Sequence, residues 1–303
     1  MNSLAEIEKQ IKFVRDTFTE HLFEKKLKLL RTTAPLFIKS DNGVNDDLNG
    51  QSEPIKFKIN KHNINVEIVQ SLSKWKRLKL HEFEMQPYEG IYTNMNAIRN
   101  NELLDELHSA YVDQWDWEMV ISNKDRNIDF LRKIVDDIYK SIYYTETKLA
   151  YRYNIPSCLP CNYYFIKNTD LMNLYPNISQ AEREYNITKK YGAVFICCID
   201  NSENRASDYD DWNLNGDLLI WSNILNKPIE ITSMGIRVDA ESLKKQLKIS
   251  NEEYKGKFDY HKMILNNELP LTIGGGIGQS RLCMLLLHKN HIKDVQSSVW
   301  DTD

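Results

Sequence analysis

The 303-residue sequence contains no apolar run long enough to cross a membrane as a helix. Such a helix takes ~18 residues, so we expect no contact with a membrane. Acidic residues from Glu6 onward and the lack of an apolar core at the start argue against a secretory signal. Positive charge is also scarce, since 39 Lys and Arg face 43 Asp and Glu. Without a local basic patch, this balance argues against a nucleic-acid partner.

Cysteines are few, and their positions favour free thiols. The five are Cys158, Cys161, Cys197, Cys198 and Cys283, an odd number with two adjacent. This usage is typical of reduced cysteines and predicts a cytoplasmic protein. Cys158 and Cys161 have the spacing of half a zinc site or of a redox pair. No second pair and no nearby His completes that site, so we expect no metal there.

The chain has no repeat, no low-complexity segment and no linker, and its eight prolines are scattered. With 42% apolar residues it can bury a large core. These features predict one compact domain over residues 1–303.

Glycine is sparse but concentrated, with four of the eleven residues inside Thr272–Gly278, directly before a run of helix formers. Backbone amides at such a helix start can approach a phosphate, and Arg281 adds a planar donor fork. A tight turn that packs a helix against a strand is the alternative. No Lys of a phosphate loop and no following βαβ unit are present, which argues against those two nucleotide folds.

A second informative stretch begins at Arg99. After a short polar loop, the residues from His108 onward alternate as in a strand, which puts Gln114, Asp116 and Glu118 on one face. A strand with so many polar residues on one face meets either solvent or a ligand.

The remaining patterns predict both helices and strands. Helices are predicted from a Ser3–Glu6 capping box, from Ser71, over Asp125–Tyr153, and from a Ser179–Glu182 capping box to Gly192. The loops and strands follow from turn residues and alternating apolar residues. They are a polar loop over 42–50, a hairpin over Ile55–Ile68, a strand over Ala193–Ile199, an acidic loop at Asp208–Trp212, and strands over Asn215–Trp221 and Pro228–Arg237. Carboxylates clustered beside a phosphate motif suggest Mg²⁺ held largely through a nucleotide, and a solvated acidic turn is the alternative.

Together these stretches resemble the class II aminoacyl-tRNA synthetases. The third motif of that class, Gly-x-Gly-x-Gly-x-x-Arg, is matched by Gly274, Gly276, Gly278 and Arg281. The stretch after Arg99 resembles the second motif, and Leu27–Phe37 resembles the first, which forms the dimer interface in the class. Ser280 stands where the synthetases usually carry an acidic residue. The resemblance implies an α+β fold with a mainly antiparallel sheet flanked by helices.

Longer stretches resemble the ammonia-dependent asparagine synthetases and span nearly the whole chain. They are Ser71–Arg77, Tyr111–Glu118, Asp208–Trp212, Leu214–Asp217, Ser233–Asp239 and Thr272–Arg281. The resemblance implies a homodimer that makes asparagine from aspartate, ammonia and ATP with Mg²⁺. The reaction would pass through a β-aspartyl-adenylate and release AMP and pyrophosphate, with catalysis by placement and neutralised phosphate charge.

The same resemblance implies roles for individual residues. The nucleotide would be bound by Arg99, His108, Gly276, Gly278 and Arg281, and Mg²⁺ by Asp217 and Glu230. The carboxylate of aspartate that is not activated would be held by Lys76 and Arg237. The ammonium group of aspartate would be received by Asp46, Gln114 and Asp116, in a pocket also lined by Asp210 and Ser233. The catalytic set would be Asp46, Arg99 and Gln114.

Two other functions stay open. A binding or regulatory paralogue would keep the fold without the chemistry, but the motif arginines and carboxylates are present. An aspartyl- or asparaginyl-tRNA synthetase would need an anticodon-binding domain, for which we expect no room, and more positive charge. A tRNA charging assay separates this last function from the others.

Overall fold

The computed structural model describes residues 3–40, 42–46, 48, 53–203 and 205–300. Of the predicted polar loop at 42–50, residues 47, 49 and 50 lie outside the described residues. In the described part, the helices are α1 (Leu4–Thr19, continued by a π-helical segment Glu20–Lys26), α2 (Ser73–Glu82), α3 (Ile128–Tyr153), α4 (Asn168–Leu174), α5 (Gln180–Tyr191), α6 (Ala240–Ile249), α7 (Asp259–Leu265) and α8 (Gln279–Leu286). No helix there is long and apolar enough to cross a bilayer.

Strands form one large sheet and one small sheet. The strands are β1 (Leu30–Arg31), β2 (Phe37–Lys39), β3 (Lys56–Ile59), β4 (Ile64–Ile68), β5 (Gly90–Ile98), β6 (Tyr111–Val120), β7 (Tyr164–Lys167), β8 (Ala193–Cys197), β9 (Asp210–Ser222), β10 (Lys227–Arg237) and β11 (Thr272–Gly278). The eight-stranded sheet has the order β1-β5-β6-β11-β10-β9-β8-β7, and the other three strands are ordered β2-β4-β3. The predicted hairpin is confirmed, since β3 and β4 pair antiparallel.

The large sheet is antiparallel in its middle and parallel at its edges. The five inner pairings, from β5 to β8, are antiparallel. At the edges, β1 pairs in parallel with β5, and β7 in parallel with β8. Helices α4 and α5 connect β7 to β8, and such a crossover allows two strands to run in the same direction. The predicted antiparallel arrangement therefore holds for the inner strands but not for the two edges.

The main core packs one face of the large sheet against α1, α3 and α8. The predicted alternation along β6 is confirmed, because Trp115 and Trp117 are buried in this core. Gln114, Asp116 and Glu118 consequently face the other side of the sheet. The fold thus builds a polar face opposite the apolar one.

Two local predictions were wrong. Helix α2 begins at Ser73 with Leu72 as its N-cap, whereas Ser71 accepts a hydrogen bond from the Ser73 amide at 3.2 Å in the turn before the helix. The acidic stretch from Asp208 is a loop only in part, because β9 already begins at Asp210, which is opposite Arg237 of β10. The pairing with β10 makes this segment a strand, and the local composition does not predict that pairing.

Candidate active site

The polar face of the sheet opens into a cavity of about 380 Å³. All but two of the predicted site residues line it: Asp46, Arg99, His108, Gln114, Asp116, Asp210, Glu230, Ser233, Arg237, Gly276, Gly278 and Arg281. They come from several separate strands, loops and a helix, so the fold brings distant parts of the chain to one site.

The two predicted residues outside the lining lie directly behind it. Lys76, on α2, is fully buried, and its Nζ lies 2.5 Å from Asp116 Oδ1 and 2.9 Å from the Gly275 carbonyl oxygen. Asp217 lies opposite Ser233 in the pairing of β9 with β10. Both residues therefore contact or adjoin the lining without forming it.

The glycines of β11 make room for the side chains of β6. In the pairing of these strands, Gly274 is opposite Glu118, Gly276 opposite Asp116, and Gly278 opposite Gln114. A Cβ atom would lie 1.9 Å from Glu118 Oε2 at Gly274 and 2.4 Å from Gln114 Oε1 at Gly276.

The predicted order of glycines and helix is confirmed, but their placement differs from a phosphate loop. The glycines form a strand, and Gly278 alone reaches α8, as its N-cap. Their lack of side chains lets polar groups of the neighbouring strand lie across β11.

Arg237 is held by two carboxylates on the polar face. Its Nε lies 2.9 and 3.1 Å from the two Glu118 oxygens, its Nη2 donates to Glu118 Oε2 at 2.7 Å, and its Nη1 donates to Asp210. A guanidinium has five N–H donors, so one donor remains on each Nη atom beyond these contacts with described residues. Arg237 is therefore fixed in position and can still receive a carboxylate.

Burial and charge act in opposite directions on these two carboxylates. Burial raises the pKa of Glu118, but the charges of Arg237 and Lys76 outweigh it and hold that pKa below its usual value. For Asp210, burial wins over Arg237 and Arg205, and its pKa lies above the usual value. Glu118 is thus ionised, and Asp210 takes up a proton more readily than an ordinary aspartate does.

Asp116 offers a buried acceptor to the cavity. Its Oδ1 is 2.5 Å from Lys76 Nζ, whereas its Oδ2 has no hydrogen-bond partner among the described residues. A buried carboxylate oxygen without a donor is costly, so a ligand that brings an N–H group would be favoured there.

The opposite end of the cavity carries two arginines from the predicted motifs. Arg99 follows β5, and its buried Nε has no partner among the described residues. Arg281, in the first turn of α8, donates to the Glu230 carbonyl oxygen at 3.2 Å, and its Nη1 is 3.9 Å from Glu230 Oε1. These fixed positive charges suit the oxygens of a phosphate chain.

Position 280, in α8, lacks the acidic residue of the synthetases, but a carboxylate from β6 lies beside it. Ser280 Oγ donates to Asp113 Oδ2 at 2.8 Å, and Arg15 of α1 also donates to Asp113 at 2.8 Å. Asp113 belongs to β6 and lines the cavity. A carboxylate therefore lies beside the start of α8 although the sequence there has Ser.

Asp217 and Glu230 fit a shared rather than a self-sufficient magnesium site. The two side chains belong to paired strands, and no group of three His, Cys, Asp or Glu that could hold a metal exists within the described ranges. Mg²⁺ needs few protein carboxylates when a nucleotide supplies phosphate oxygens. Both oxygen donors are of the kind Mg²⁺ prefers, so the pair suits a metal that arrives with ATP.

Arg205 is a functional candidate that the sequence did not reveal. It donates to Ser233 Oγ at 2.6 Å and to Asp217 Oδ1 at 2.6 Å. It lies in an irregular segment without a pattern, so no local signal identifies it. By contrast, the strand alternation with Gln114 and Asp116 already placed Glu118 on the site face.

The large sheet and its flanking helices have the fold of the class II aminoacyl-tRNA synthetases. An asparaginyl-tRNA synthetase from Pyrococcus horikoshii in complex with asparaginyl-adenylate has a similar structure, with a TM-score of 0.72, 14% identity, and coverage of 97% of this chain and 68% of that one. For an asparaginyl-tRNA synthetase from Entamoeba histolytica the TM-score is 0.69 at 15% identity, and 97% and 67% of the two chains are covered.

Sequence comparison then specifies the family. The chain belongs to the aspartate-ammonia ligase family, whose family model matches residues 5–303. An aspartate–ammonia ligase of Clostridium tetani is 49% identical over 299 residues, which cover 96% of this chain and 87% of that protein. One from Bacteroides thetaiotaomicron is 47% identical over 318 residues, with coverage of 99% and 92%.

Proposed function

We propose that this protein makes L-asparagine from L-aspartate and ammonia, with ATP cleaved to AMP and pyrophosphate through a β-aspartyl-adenylate. Relatives that carry the name aspartate–ammonia ligase support the overall reaction. The structural neighbour that binds asparaginyl-adenylate supports an adenylate intermediate. The observation that carries the proposal is a cavity that combines a buried acceptor on Asp116 with available donors on Arg237.

Those two groups match the charges of an amino acid. The ammonium group of aspartate donates to Asp116 Oδ2, and its carboxylate that is not activated accepts from the remaining donors of Arg237. Lys76 adds positive charge from behind, and Asp210 and Ser233 line the same part of the cavity. The side-chain carboxylate is then left to react.

Arg99 and Arg281 bind the phosphates. Asp217 and Glu230 would hold Mg²⁺ together with the nucleotide, and the metal would supply charge that neutralises the phosphates. An oxygen of the side-chain carboxylate forms a bond to the α-phosphorus, and the bond to pyrophosphate breaks. The two arginines orient the phosphate chain and stabilise the charge that develops on it.

Ammonia then attacks the carbonyl carbon of the mixed anhydride. The bond from that carbon to the phosphate oxygen breaks, and AMP leaves with both electrons. Asp46 and Gln114, which line the cavity, accept hydrogen bonds from the ammonia and orient it, and the nitrogen releases one proton to water as the amide forms. The protein performs this reaction as a homodimer, with the segment Leu27–Phe37 at the interface.

Incubation with ATP, aspartate and ammonium tests the proposal. The expected products are asparagine, AMP and pyrophosphate in equal amounts. ADP and orthophosphate as products would contradict activation at the α-phosphate. Glutamine with free ammonia scavenged should give no asparagine, because ammonia is the nitrogen donor of the proposed reaction.

A further inference from the structure

A second cavity, of about 200 Å³, adjoins the active site and shares Asp46 with it. Its walls contain equal numbers of acids and lysines: Asp46, Glu67, Asp208, Lys56, Lys74 and Lys255. Because these charges balance, the walls do not strongly repel a small cation. They also do not strongly hold the neutral molecule that forms when the cation loses a proton. His261 also lies in the wall of this cavity.

Asp208 and His261 form a buried pair whose hydrogens can be assigned. Asp208 Oδ2 is 2.6 Å from Lys74 Nζ and 3.0 Å from His261 Nε2. Burial raises the pKa of Asp208, but Lys74, His261 and Lys255 together hold it well below its usual range. An ionised carboxylate only accepts hydrogen bonds, so His261 Nε2 carries the hydrogen and Nδ1 carries a lone pair.

The lone pair on His261 Nδ1 accepts no hydrogen bond from the described residues. Nδ1 is buried and has no hydrogen-bond partner among the residues that the structure describes. The imidazole is fully buried, and Asp208 orients it through the other nitrogen. A nitrogen oriented in this way by a carboxylate is the usual arrangement of a histidine that accepts a proton.

We propose that the second cavity binds ammonium and that His261 takes a proton from it. This inference rests on the proposed function, since ammonium is the form that dominates at neutral pH and it cannot attack a carbonyl carbon. One N–H bond of ammonium breaks, the proton joins Nδ1, and the electron pair stays on nitrogen as ammonia. Ammonia passes to the active site beside Asp46, and the imidazolium, stabilised by Asp208, later releases its proton to water.

The test compares ammonium with hydroxylamine, a nucleophile that is already unprotonated at neutral pH. His261→Gln keeps an N–H donor for Asp208 but removes the base. The variant should lose about 100-fold or more in asparagine formation from ammonium at neutral pH, the contribution typical of a positioned base. Its hydroxylamine reaction should stay within about two-fold of the wild type, and the loss with ammonium should shrink at higher pH.

Two controls separate this inference from the proposed function. Exchange of labelled pyrophosphate into ATP, dependent on aspartate, should be unchanged in His261→Gln, and its absence in the wild type would refute the proposed function itself. His62→Gln, at an exposed histidine outside both cavities, should behave as wild type in every assay.

Equal losses with ammonium and hydroxylamine, or no loss at neutral pH, would show that His261 serves the structure or holds only a water molecule. Should the variant fail to fold, the pH profiles of the wild type decide. Because the bound cation is itself the substrate, we expect kcat/KM for total ammonium to fall less steeply from alkaline to neutral pH than the fraction of free ammonia does. For hydroxylamine, which is unprotonated over this range, kcat/KM should stay nearly constant. A kcat/KM for ammonium that follows the fraction of free ammonia would overturn the inference.

Discussion

At the scale of single residues, Arg237 combines observed contacts with two carboxylates and a proposed contact with aspartate. Its bidentate contact with Glu118 depends on the planar fork of the guanidinium, which an ammonium group cannot reproduce. We expect Arg237→Lys to lower kcat/KM for aspartate roughly thirty-fold to nearly a thousand-fold. This corresponds to a loss of about 2–4 kcal/mol in the binding of the transition state. The KM for ATP should change little. Steady-state kinetics with each substrate varied in turn measures both effects.

Because Arg237 also stabilises buried carboxylates, a loss of folding must be told apart from a loss of binding. Arg126→Lys is the matched control, since Arg126 bridges Asp211 and Asp239 but does not line the cavity. Both variants should melt earlier, and only Arg237→Lys should weaken aspartate selectively. If the two lower activity in the same proportion for both substrates, Arg237 is not a substrate residue.

Asp208 makes the stability of the fold depend on pH. A carboxylate whose pKa is lowered by folding stabilises the protein above its ordinary pKa, and that contribution is lost as the pH falls towards the lower value. Asp208→Asn should cost about 3–5 kcal/mol at neutral pH, because it removes the carboxylate that pairs with the buried Lys74. The difference from wild type in the free energy of unfolding should shrink below about pH 3.9.

Denaturant titrations at neutral and acidic pH measure this difference. Asp259→Asn is the control, because that side chain is 95% exposed and its variant should match wild type at each pH. A deficit of the Asp208 variant that stays constant down to strongly acidic pH would contradict an ionised, paired carboxylate.

Single residues were predictable only where a pattern surrounds them. The alternation along β6 in the sequence predicts that Gln114, Asp116 and Glu118 share one face. Arg205 could not be found in this way, because its partners Ser233 and Asp217 lie on other strands and its own segment has no periodicity. Contacts between distant segments are set by tertiary packing, which a local pattern does not encode.

At the scale of elements, the fit of β11 against β6 is the most demanding feature of the site. A Cβ at Gly274 would lie 2.6 Å from the Trp117 carbonyl oxygen as well as 1.9 Å from Glu118 Oε2. The backbone oxygen belongs to a paired strand and cannot yield easily. We expect Gly274→Ala to destabilise the fold by about 3 kcal/mol or more, measured by denaturant unfolding.

Gly256→Ala is the control at this scale. The nearest atom to a Cβ at Gly256 is Leu265 Cδ1 at 3.9 Å, so the substitution should be neutral or stabilising by about 0.4–1 kcal/mol. A Gly274 variant as stable as wild type would show that β6 and β11 do not approach as closely as described.

Helices and inner strands follow from the sequence because their signals are local. Both helices begin at the predicted serines: Ser3 accepts a hydrogen bond from the Glu6 amide, and Ser179 forms a full capping box with Glu182. Edge pairing is different, since β1 and β7 pair in parallel with strands that follow them after long intervening segments. Their direction is therefore set by the whole topology and not by residues 30–31 or 164–167.

At the scale of the whole molecule, an apolar surface supports the proposed dimer. Leu30, Leu36, Phe37 and Phe57 are each at least 40% exposed, and the last two rings are in contact, with centroids 5.2 Å apart. Exposed apolar groups that lie together are typical of interaction sites. Three of the four belong to the segment Leu27–Phe37.

We therefore expect light scattering to give the mass of two chains for the wild type and of one chain for Leu36→Glu, because an unpaired carboxylate at an apolar interface disfavours association. Ile249→Glu, at a residue 52% exposed near the end of α6, should remain a dimer. A wild-type protein with the mass of one chain would contradict the proposed assembly.

In the proposed reaction, one active site joins the side chain of aspartate to the α-phosphorus of ATP and then transfers the aspartyl group to ammonia. Isotope transfer tests this most directly. Aspartate labelled with heavy oxygen in the side-chain carboxylate is converted with ATP and ammonium, and the products are analysed by mass spectrometry. We expect one labelled oxygen in each AMP formed and none in pyrophosphate. Label in orthophosphate, or AMP without label, would contradict it.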